Sequence, residues 1–258
     1  MMRTRSVLLI TLLITVWYPS AWALDHDNLD KNRPVQVEDA YSIAMGEIGL
    51  EGGVQFEDRS RGLDRWEFRP QILYGVFYNT QLEVEGDFIT EWTSGEERET
   101  SGNLGLGALY NFNTETISVP ALAVKIELEV PTGESSEGLD MTVGGLLTRS
   151  FGRWRTHLNL EYTVVGTADP GERNRLYALI GGISYPLGYP MRFRETLIVD
   201  VFIHQSEMSG EENVTGLEVG IRHQLSPRVV LDGGIGTELS GPDDLVAIFG
   251  TVGLSMGF

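Results

Sequence analysis

Residues 245–258 alternate between apolar side chains and small or polar ones, without interruption, up to the terminal Phe258. Successive side chains of a β-strand point to opposite faces of the sheet. The stretch therefore predicts a strand with one apolar face and one small, mostly polar face. A soluble β-sandwich contains such strands too, but a last strand that ends on an aromatic residue is typical of bacterial outer-membrane barrels.

The other end of the chain has the organisation of a secretory signal. The basic residues Arg3 and Arg5 precede an apolar run over residues 7–18, and Ala21-Trp-Ala23 follows. This order predicts a signal peptide over residues 1–23, cleaved after Ala23. The apolar run is shorter than the roughly 20 residues of a membrane-spanning helix. Membrane residence would therefore depend on strands.

The chain is acidic, and it contains no cysteine. Its formal charge is −18, and loss of Arg3 and Arg5 with the signal peptide would take this to −20. Such a chain repels nucleic acid, so no nucleic-acid partner is expected. The lack of cysteine excludes disulfide bonds and thiolate metal sites, and nothing in the sequence predicts a metal or another cofactor.

Between its two ends the chain divides into twelve alternating segments. They cover residues 41–57, 65–78, 79–90, 102–112, 117–130, 139–151, 153–166, 174–187, 191–205, 213–225, 228–239 and 245–258. An even number suits a barrel with both ends on the periplasmic side. We therefore predict an all-β fold, a transmembrane antiparallel up-and-down β-barrel of about 12 strands over residues 41–258. Residues 24–40 are charged and aperiodic, and are expected to form a periplasmic lead-in.

The connections between these segments differ by parity. Those after even-numbered segments are short: residues 78–79, 113–116, 152, 188–190 and 226–227. Most of those after odd-numbered segments are longer and acidic: residues 58–64, 91–101, 131–138, 167–173 and 206–212, with 240–244 the shortest. Short periplasmic turns and longer outer loops are the pattern of a transmembrane barrel.

Five stretches occur in the order in which they are found in a known family. They are Glu38-Asp-Ala-Tyr41, Lys125-Ile-Glu-Leu-Glu-Val-Pro-Thr-Gly133, residues 147–166, Ile183-Ser-Tyr-Pro-Leu187 and Leu231-Asp-Gly-Gly-Ile-Gly236. On these residues the chain resembles the outer-membrane transporters grouped under the meta-cleavage pathway of phenol degradation. The resemblance covers nearly the whole mature chain. It implies a small barrel that moves aromatic or other small organic compounds, and it assigns no catalytic residue.

The inward positions of several odd strands carry long charged side chains. The predicted charged wall of the lumen consists of Glu83, Glu85, Asp87, Lys125, Glu127, Glu129, Arg155, His157 and Glu161. Neighbouring even strands turn small residues such as Gly105 and Gly107 inward, which leaves room for these chains. The wall is either a network that braces and partly fills a narrow barrel or a path that favours cations.

A second wall of the lumen is apolar. The eighth and ninth strands point Leu176, Ile180, Ile198 and Phe202 inward. The turn at residues 188–190 is expected to bring Ile180 near Ile198 and Leu176 near Phe202. This apolar strip is either ordinary filling or a surface along which a small amphipathic molecule passes.

A catalytic reading receives little support. Asp200, His204 and Ser206 lie on the inward side of one strand, but residues four apart on a strand are separated by about 13 Å. That distance is too long for a carboxylate to orient the imidazole. We therefore predict no enzyme, but a passive outer-membrane channel for small organic molecules, aromatic ones included. The alternatives are a structural or assembly-related barrel with a plugged lumen and, less favoured, a barrel hydrolase.

The predicted partners follow from the location. They are outer-membrane lipid, lipopolysaccharide, the barrel-assembly machinery through the strand ending in Phe258, and a small-molecule solute.

A folded barrel of this kind should migrate differently on a gel before and after boiling, when the protein is taken from the outer-membrane fraction. A soluble product whose migration does not change on boiling would contradict the prediction and favour a secreted sandwich.

Overall fold

The computed structural model describes residues 26–59, 63–93, 96–133, 138–188, 194–242 and 245–258. The predicted signal peptide with its cleavage after Ala23 lies outside the described residues, as do positions 189–190 of the turn after the eighth strand. Within the part that is described, no helix has the length and apolar character of a membrane span.

The described residues form twelve strands in one closed antiparallel barrel. The strands are β1 (Ile48–Arg59), β2 (Leu63–Phe77), β3 (Thr80–Thr93), β4 (Glu96–Asn113), β5 (Ala121–Val130), β6 (Asp140–Phe151), β7 (Trp154–Val164), β8 (Arg175–Leu187), β9 (Glu195–His204), β10 (Val214–Ser226), β11 (Val229–Ser240) and β12 (Val246–Gly257). The first and last strands pair, and beyond the end of β12 Ile48 and Phe258 exchange two backbone hydrogen bonds of 3.1 and 2.9 Å. The predicted fold class is confirmed.

Side-chain alternation separates the two faces of the barrel. On β2, Phe68, Ile72 and Tyr74 are exposed on the outer face. Glu67 and Leu73, which alternate with them, are buried on the lumen side. Apolar residues therefore cover the surface that meets lipid, and polar residues face the interior.

Aromatic rings lie near both ends of the strands. Trp154 and Tyr185 contact each other at the periplasmic end, with ring centroids 4.5 Å apart. Phe56 and Trp66 do so at the opposite end, at 5.1 Å. Rings at these heights fit the boundary between lipid and water.

Two features of the barrel differ from the sequence prediction. Residues 91–101, expected to form a loop, mostly extend the β3–β4 hairpin, in which Thr90 pairs with Glu99. Backbone pairing continues there because a strand that projects into water needs no apolar face. The pairing of β8 with β9 also differs, since Phe202 lies opposite Ile180 and not opposite Leu176, and Ile198 lies opposite Ser184. The cause is a longer connection, as β9 begins only at Glu195.

The predicted periplasmic lead-in is wrong for the residues that the structure describes. Residues 26–47, called the N-terminal segment below, lie inside the barrel, and β1 begins at Ile48 and not at residue 41. Leu29 is 2% exposed and Val37 is 0% exposed. The segment enters the lumen because its apolar side chains are removed from water against inward-facing apolar residues of the wall.

Glycines of the wall make room for this segment. A Cβ atom at Gly75 would lie 1.9 Å from the Ala44 carbonyl oxygen, and one at Gly182 would lie 2.6 Å from Val37 Cγ1. Inward glycines in close contact with the segment also occur on four further strands: Gly53, Gly220, Gly234 and Gly253. The wall and the segment therefore fit each other closely along most of the circuit.

Replacing one of these glycines should displace the segment without opening the barrel. Gly182→Leu places a bulky side chain on Val37, whereas Gly181→Leu, one residue away and facing outward, enters open space. We expect trypsin to cleave after Lys31 at least tenfold faster in the first variant than in the unmodified protein, with no change in the second. Equal cleavage in both variants, with the boiling-dependent gel shift intact, would contradict this account of the segment.

Candidate functional site

From Pro34 onward the N-terminal segment follows the inner wall of the barrel. Thr251 on β12 donates its hydroxyl to the Pro34 carbonyl oxygen at 2.8 Å. The next contacts lie on β10 and β9, where the backbone N–H groups of residues 36 and 37 donate to the carboxylates of Glu218 and Asp200, both at 2.8 Å. Each of these wall residues forms a hydrogen bond with the main chain of the segment.

The circuit continues in the order of the strands. Asn159 on β7 exchanges two hydrogen bonds of 2.8 Å with the backbone of Glu38. Thr148 on β6 accepts from the N–H of residue 40 at 3.0 Å, and Gln81 on β3 accepts from that of residue 43 at 2.9 Å. Buried backbone groups outside regular structure need such partners. Side chains of the wall supply them, so the segment forms a ring that descends from mid-barrel to the periplasmic end.

Asp39 closes the segment on itself. Its carboxylate accepts hydrogen bonds from the N–H of Leu29 at 3.1 Å and from that of Tyr41 at 2.9 Å. Its own N–H donates to the Leu29 carbonyl oxygen at 3.1 Å. Burial raises the pKa of the Asp39 carboxyl to about 7, against the hydrogen bonds from Tyr41 and Leu29, which lower it. Asp39 therefore connects its part of the segment with Leu29, ten residues earlier in the chain.

The predicted apolar strip packs largely against this segment. Ile180, Ile198 and Phe202 form a buried cluster with Leu29, Val35, Val37, Val246 and Phe249. Leu176, the fourth residue of the strip, lies nearer the outer mouth and is only partly buried. Ile180 and Ile198 thus help to hold the segment in place.

A lysine of the segment forms ion pairs with two carboxylates of the predicted charged wall. The Lys31 ammonium lies 2.7 Å from Glu127 and 3.0 Å from Glu161. Burial acts to lower the pKa of Lys31, but these two carboxylates outweigh it and raise the pKa above its usual range. On the wall itself, Lys125 lies 3.0 Å from Glu38 and 2.9 Å from Glu83. Ion pairs therefore connect the segment with β3, β5 and β7.

Other residues of the predicted wall have different surroundings. Arg155 lies 3.7 Å from Asp27 of the segment. His157 is buried between the hydroxyls of Thr148 and Ser184, at 3.1 and 3.0 Å, as expected of a structural histidine. Glu85, Asp87 and Glu129 line a cavity described below.

Asp200 and Ser206, weighed above as catalytic, have other hydrogen-bond partners. Asp200 binds the backbone of the segment, and Ser206 donates to Glu211 at 2.9 Å. Across the described ranges, no group of three His, Asp or Glu side chains is arranged to hold a metal ion.

Three neighbouring cavities lie on the outer side of the segment, and adjacent ones share lining residues. The outer vestibule has a volume of about 650 Å³ and opens between the ends of the strands. It shares His204, Glu238 and Val246 with a second cavity of about 240 Å³, the aromatic chamber. A third cavity of about 230 Å³, the charged chamber, shares Asn32 and Arg69 with the second. Asn32, at the tip of the segment, therefore lies where the two chambers meet.

Carboxylates outnumber cationic groups around each cavity. The vestibule is lined by Glu161, Glu207, Glu211 and Glu238 against Arg59 and Arg65. The aromatic chamber is lined by Glu57, Glu218 and Glu238 against Arg69. The charged chamber is lined by Glu83, Glu85, Asp87, Glu127 and Glu129 against Lys31, Arg69 and Lys125. The formal charge of the residues around each cavity is therefore negative.

Sequence reasoning missed the residues that hold the segment. Thr148, Gln81 and Glu218 occupy inward positions that strand alternation does assign, but nothing in one sequence shows what they bind. The segment itself carries a short signal, since residues 35–38 alternate between apolar and polar side chains. That run is too short to predict that the segment lies inside the lumen.

Comparison with known proteins places the chain in a family. The family model described as "Putative MetA-pathway of phenol degradation" matches residues 31–247. The chain belongs to this family. No curated protein shows significant sequence similarity to it. The matched region includes most of the N-terminal segment as well as nearly all of the barrel, so the family is defined over both parts.

Solved structures with the same fold are outer-membrane barrels. An outer membrane channel from Pseudomonas putida F1 superposes with a TM-score of 0.69 at 12% identity, over 85% of this chain and 98% of that one. The NanC porin gives 0.57 at 12% identity, over 81% and 98%. The CymD monoaromatic hydrocarbon channel gives 0.50 at 9% identity, over 83% and 89%. At these identities the likeness shows the fold, a closed antiparallel barrel of the kind that these outer-membrane proteins have.

Asp39 provides a test of how the segment is held. Asp39→Ala leaves the buried N–H groups of Leu29 and Tyr41 without their acceptor, at a cost of about 1–3 kcal/mol each. Amide hydrogen exchange at both residues should accelerate by about tenfold to a hundredfold. Asp39→Asn retains one acceptor oxygen and should show a smaller effect.

Asp140→Ala serves as the control for Asp39, because Asp140 accepts a backbone hydrogen bond from Gly166 at the outer end of the barrel. It should leave exchange in the N-terminal segment unchanged. Unaltered exchange at Leu29 and Tyr41 in Asp39→Ala would show that Asp39 does not hold the segment.

Proposed function

We propose that the protein is a passive outer-membrane channel for small organic molecules, and that its N-terminal segment controls passage through the inner half of the lumen. The observation that carries this proposal is the series of neighbouring cavities, which extends from the outer mouth to the segment. A barrel that served only as a scaffold has no need of such a series.

The size and lining of the chambers support small solutes with an aromatic ring. A cavity of about 150 Å³ is large enough to bind benzene, and the aromatic chamber measures about 240 Å³. Phe202 and Phe249 line it. The name of the family and the monoaromatic hydrocarbons carried by one structural neighbour agree with this class of solute.

The charge of the lumen adds a preference. Cations are attracted into a cavity with an excess of carboxylates and walls of low dielectric constant, and anions are repelled. The predicted charged wall contributes five of these carboxylates around the charged chamber: Glu83, Glu85, Asp87, Glu127 and Glu129. We therefore expect the open channel to select cations over anions.

The contacts of the segment are compatible with reversible movement. Beyond the apolar cluster, it is held by hydrogen bonds and by ion pairs such as Lys31 with Glu127. Water and ions can replace contacts of this kind, and their net contributions are individually small. Displacement of the segment toward the periplasm would open the inner half of the barrel.

A second candidate function is a mainly structural barrel with a permanently filled lumen. The observation in its favour is the close fit between the wall glycines and the segment, at Gly75 and Gly182 above all. The two functions differ in whether a segment that is free to move leaves a conducting path.

The remaining proposals concern export and surroundings. The signal peptide is cleaved after Ala23, and the barrel-assembly machinery recognises the last strand with Phe258. Outer-membrane lipid and lipopolysaccharide cover the apolar outer face. The alternation of the strands and the organisation of the first 23 residues support these proposals.

A reversible covalent lock tests the role of the segment. A Cβ at Gly182 would lie 3.1 Å from the Cβ of Val37, close to the roughly 3.5–4.5 Å of a disulfide. The chain has no native cysteine, so the double variant Val37→Cys and Gly182→Cys can form one bond only. We expect stepwise single-channel conductance that is at least fivefold larger after reduction than after oxidation. In a KCl gradient, the reversal potential of the reduced channel should indicate cation preference.

Gly182→Cys alone is the control for the lock and should not respond to the redox treatment. If the conductance is equal in both states and mass spectrometry verifies the disulfide, the segment does not control passage through the lumen. No conductance in either state would favour the structural barrel.

A further inference from the structure

The aromatic chamber combines rings with a carboxyl group. Phe202 and Phe249 lie with their ring centroids 6.3 Å apart at an angle of 55°. The His204 ring lies 5.0 Å from that of Phe202. Glu218 lines the same cavity. The chamber therefore offers an apolar surface for the ring of a ligand and a polar surface for its head group.

Both phenyl rings have fixed positions. A Cβ at Gly216 on β10 would lie 2.1 Å from Cζ of Phe202, and one at Gly236 on β11 would lie 2.4 Å from Cζ of Phe249. Each ring therefore occupies the space above a glycine of the neighbouring strand. Rings held in this way form a preorganised surface, which reduces the cost of ordering on binding.

The carboxyl group of Glu218 differs from most others in the lumen. It is 4% exposed, and its two oxygens accept hydrogen bonds from the backbone and side-chain N–H groups of Gln36, at 2.8 and 2.9 Å. Directly opposite on β9 lies Asp200, which is 1% exposed. Asp200 Oδ1 has no hydrogen-bond partner among the described residues. Among the residues that the structure describes, neither Glu218 nor Asp200 forms an ion pair.

Other glutamates of the chambers have partners of their own, as Glu238 accepts a hydrogen bond from the N–H of Val246 at 2.7 Å. Glu57 pairs with Arg59 at 2.9 Å, and Glu127 pairs with Lys31. Arg69, the cationic residue of the aromatic chamber, lies 2.6 Å from Glu67. Among the described residues, Glu218 and Asp200 thus form a buried acidic pair without a counter-charge, an arrangement that is costly when both ionise.

We propose that the aromatic chamber binds small organic ammonium ions that carry one aromatic ring, with the ammonium group at Glu218 and the ring against Phe202 and Phe249. The ammonium offsets the charge of the acidic pair, and the phenyl rings attract a cation through their negative faces. The site excludes carboxylates of the same size by repulsion. This inference rests on the proposed channel function, because the solute reaches the chamber from the outer vestibule.

Three probes of one shape test the inference on the unmodified protein. They are benzylammonium, neutral benzyl alcohol and anionic benzoate. Binding is measured by saturation-transfer NMR on the refolded protein, and by block of single-channel current with the probe added on the outer side. We expect benzylammonium to bind at least tenfold more tightly than benzyl alcohol, and benzoate not to bind. Equal affinity of benzylammonium and benzyl alcohol would overturn the proposal.

A pair of variants locates the site. Glu218→Gln removes the charge at the chamber and should reduce benzylammonium affinity at least tenfold, to that of benzyl alcohol. Glu129→Gln removes the same charge from the charged chamber, where Glu129 accepts from Asn103 at 2.7 Å. It should leave the affinity within twofold. An equal loss in both variants would show general attraction of cations and no site at Glu218.

The two readouts separate this inference from the channel proposal. Selective binding by NMR without any conductance would remove the channel function and leave the site. Conductance without discrimination between benzylammonium and benzyl alcohol would leave the channel and remove the site.

Discussion

Every backbone N–H and C=O group inside a membrane has to find a hydrogen-bond partner within the protein, and the rest of this structure depends on that constraint. Between strands it is met by a ladder that closes where β1 pairs with β12. The same requirement holds in the lumen, where the N-terminal segment lacks regular structure. There the partners are side chains of the wall, such as Asn159 and Thr148. The lumen is therefore polar in part because an irregular chain is bound to it.

The inward residues serve two physical purposes. Glycines such as Gly182 allow the segment to approach, and charged residues such as Lys125 hold it through ion pairs. Burial makes unpaired charge expensive, so most acidic residues around the segment have a cation or a hydrogen-bond donor nearby. Glu218 and Asp200 have hydrogen-bond donors but, among the described residues, no cation. Their position beside two phenyl rings links the electrostatics of the wall with the choice of solute.

Much of the barrel could be predicted because strand alternation is a local property. The predicted ends of most strands lie within a few residues of the observed ones, and Glu83 and Lys125 face inward where alternation places them. Errors arose where the local signal failed. Charge marked residues 91–101 as a loop, although backbone pairing does not depend on charge. The register of β8 with β9 depends on the length of a connection, which alternation does not report.

The sequence by itself determined the class of fold, the two faces of each strand and the acidic, cysteine-free character of the lumen, because each of these follows from the type and spacing of neighbouring residues. Only the tertiary structure decided that residues 26–47 lie inside the barrel. The partners of this segment are far away along the chain, as Gln36 and Glu218 are separated by 182 positions. Contacts over such separations exist only once the barrel has closed, since closure brings inward side chains of distant strands around one lumen.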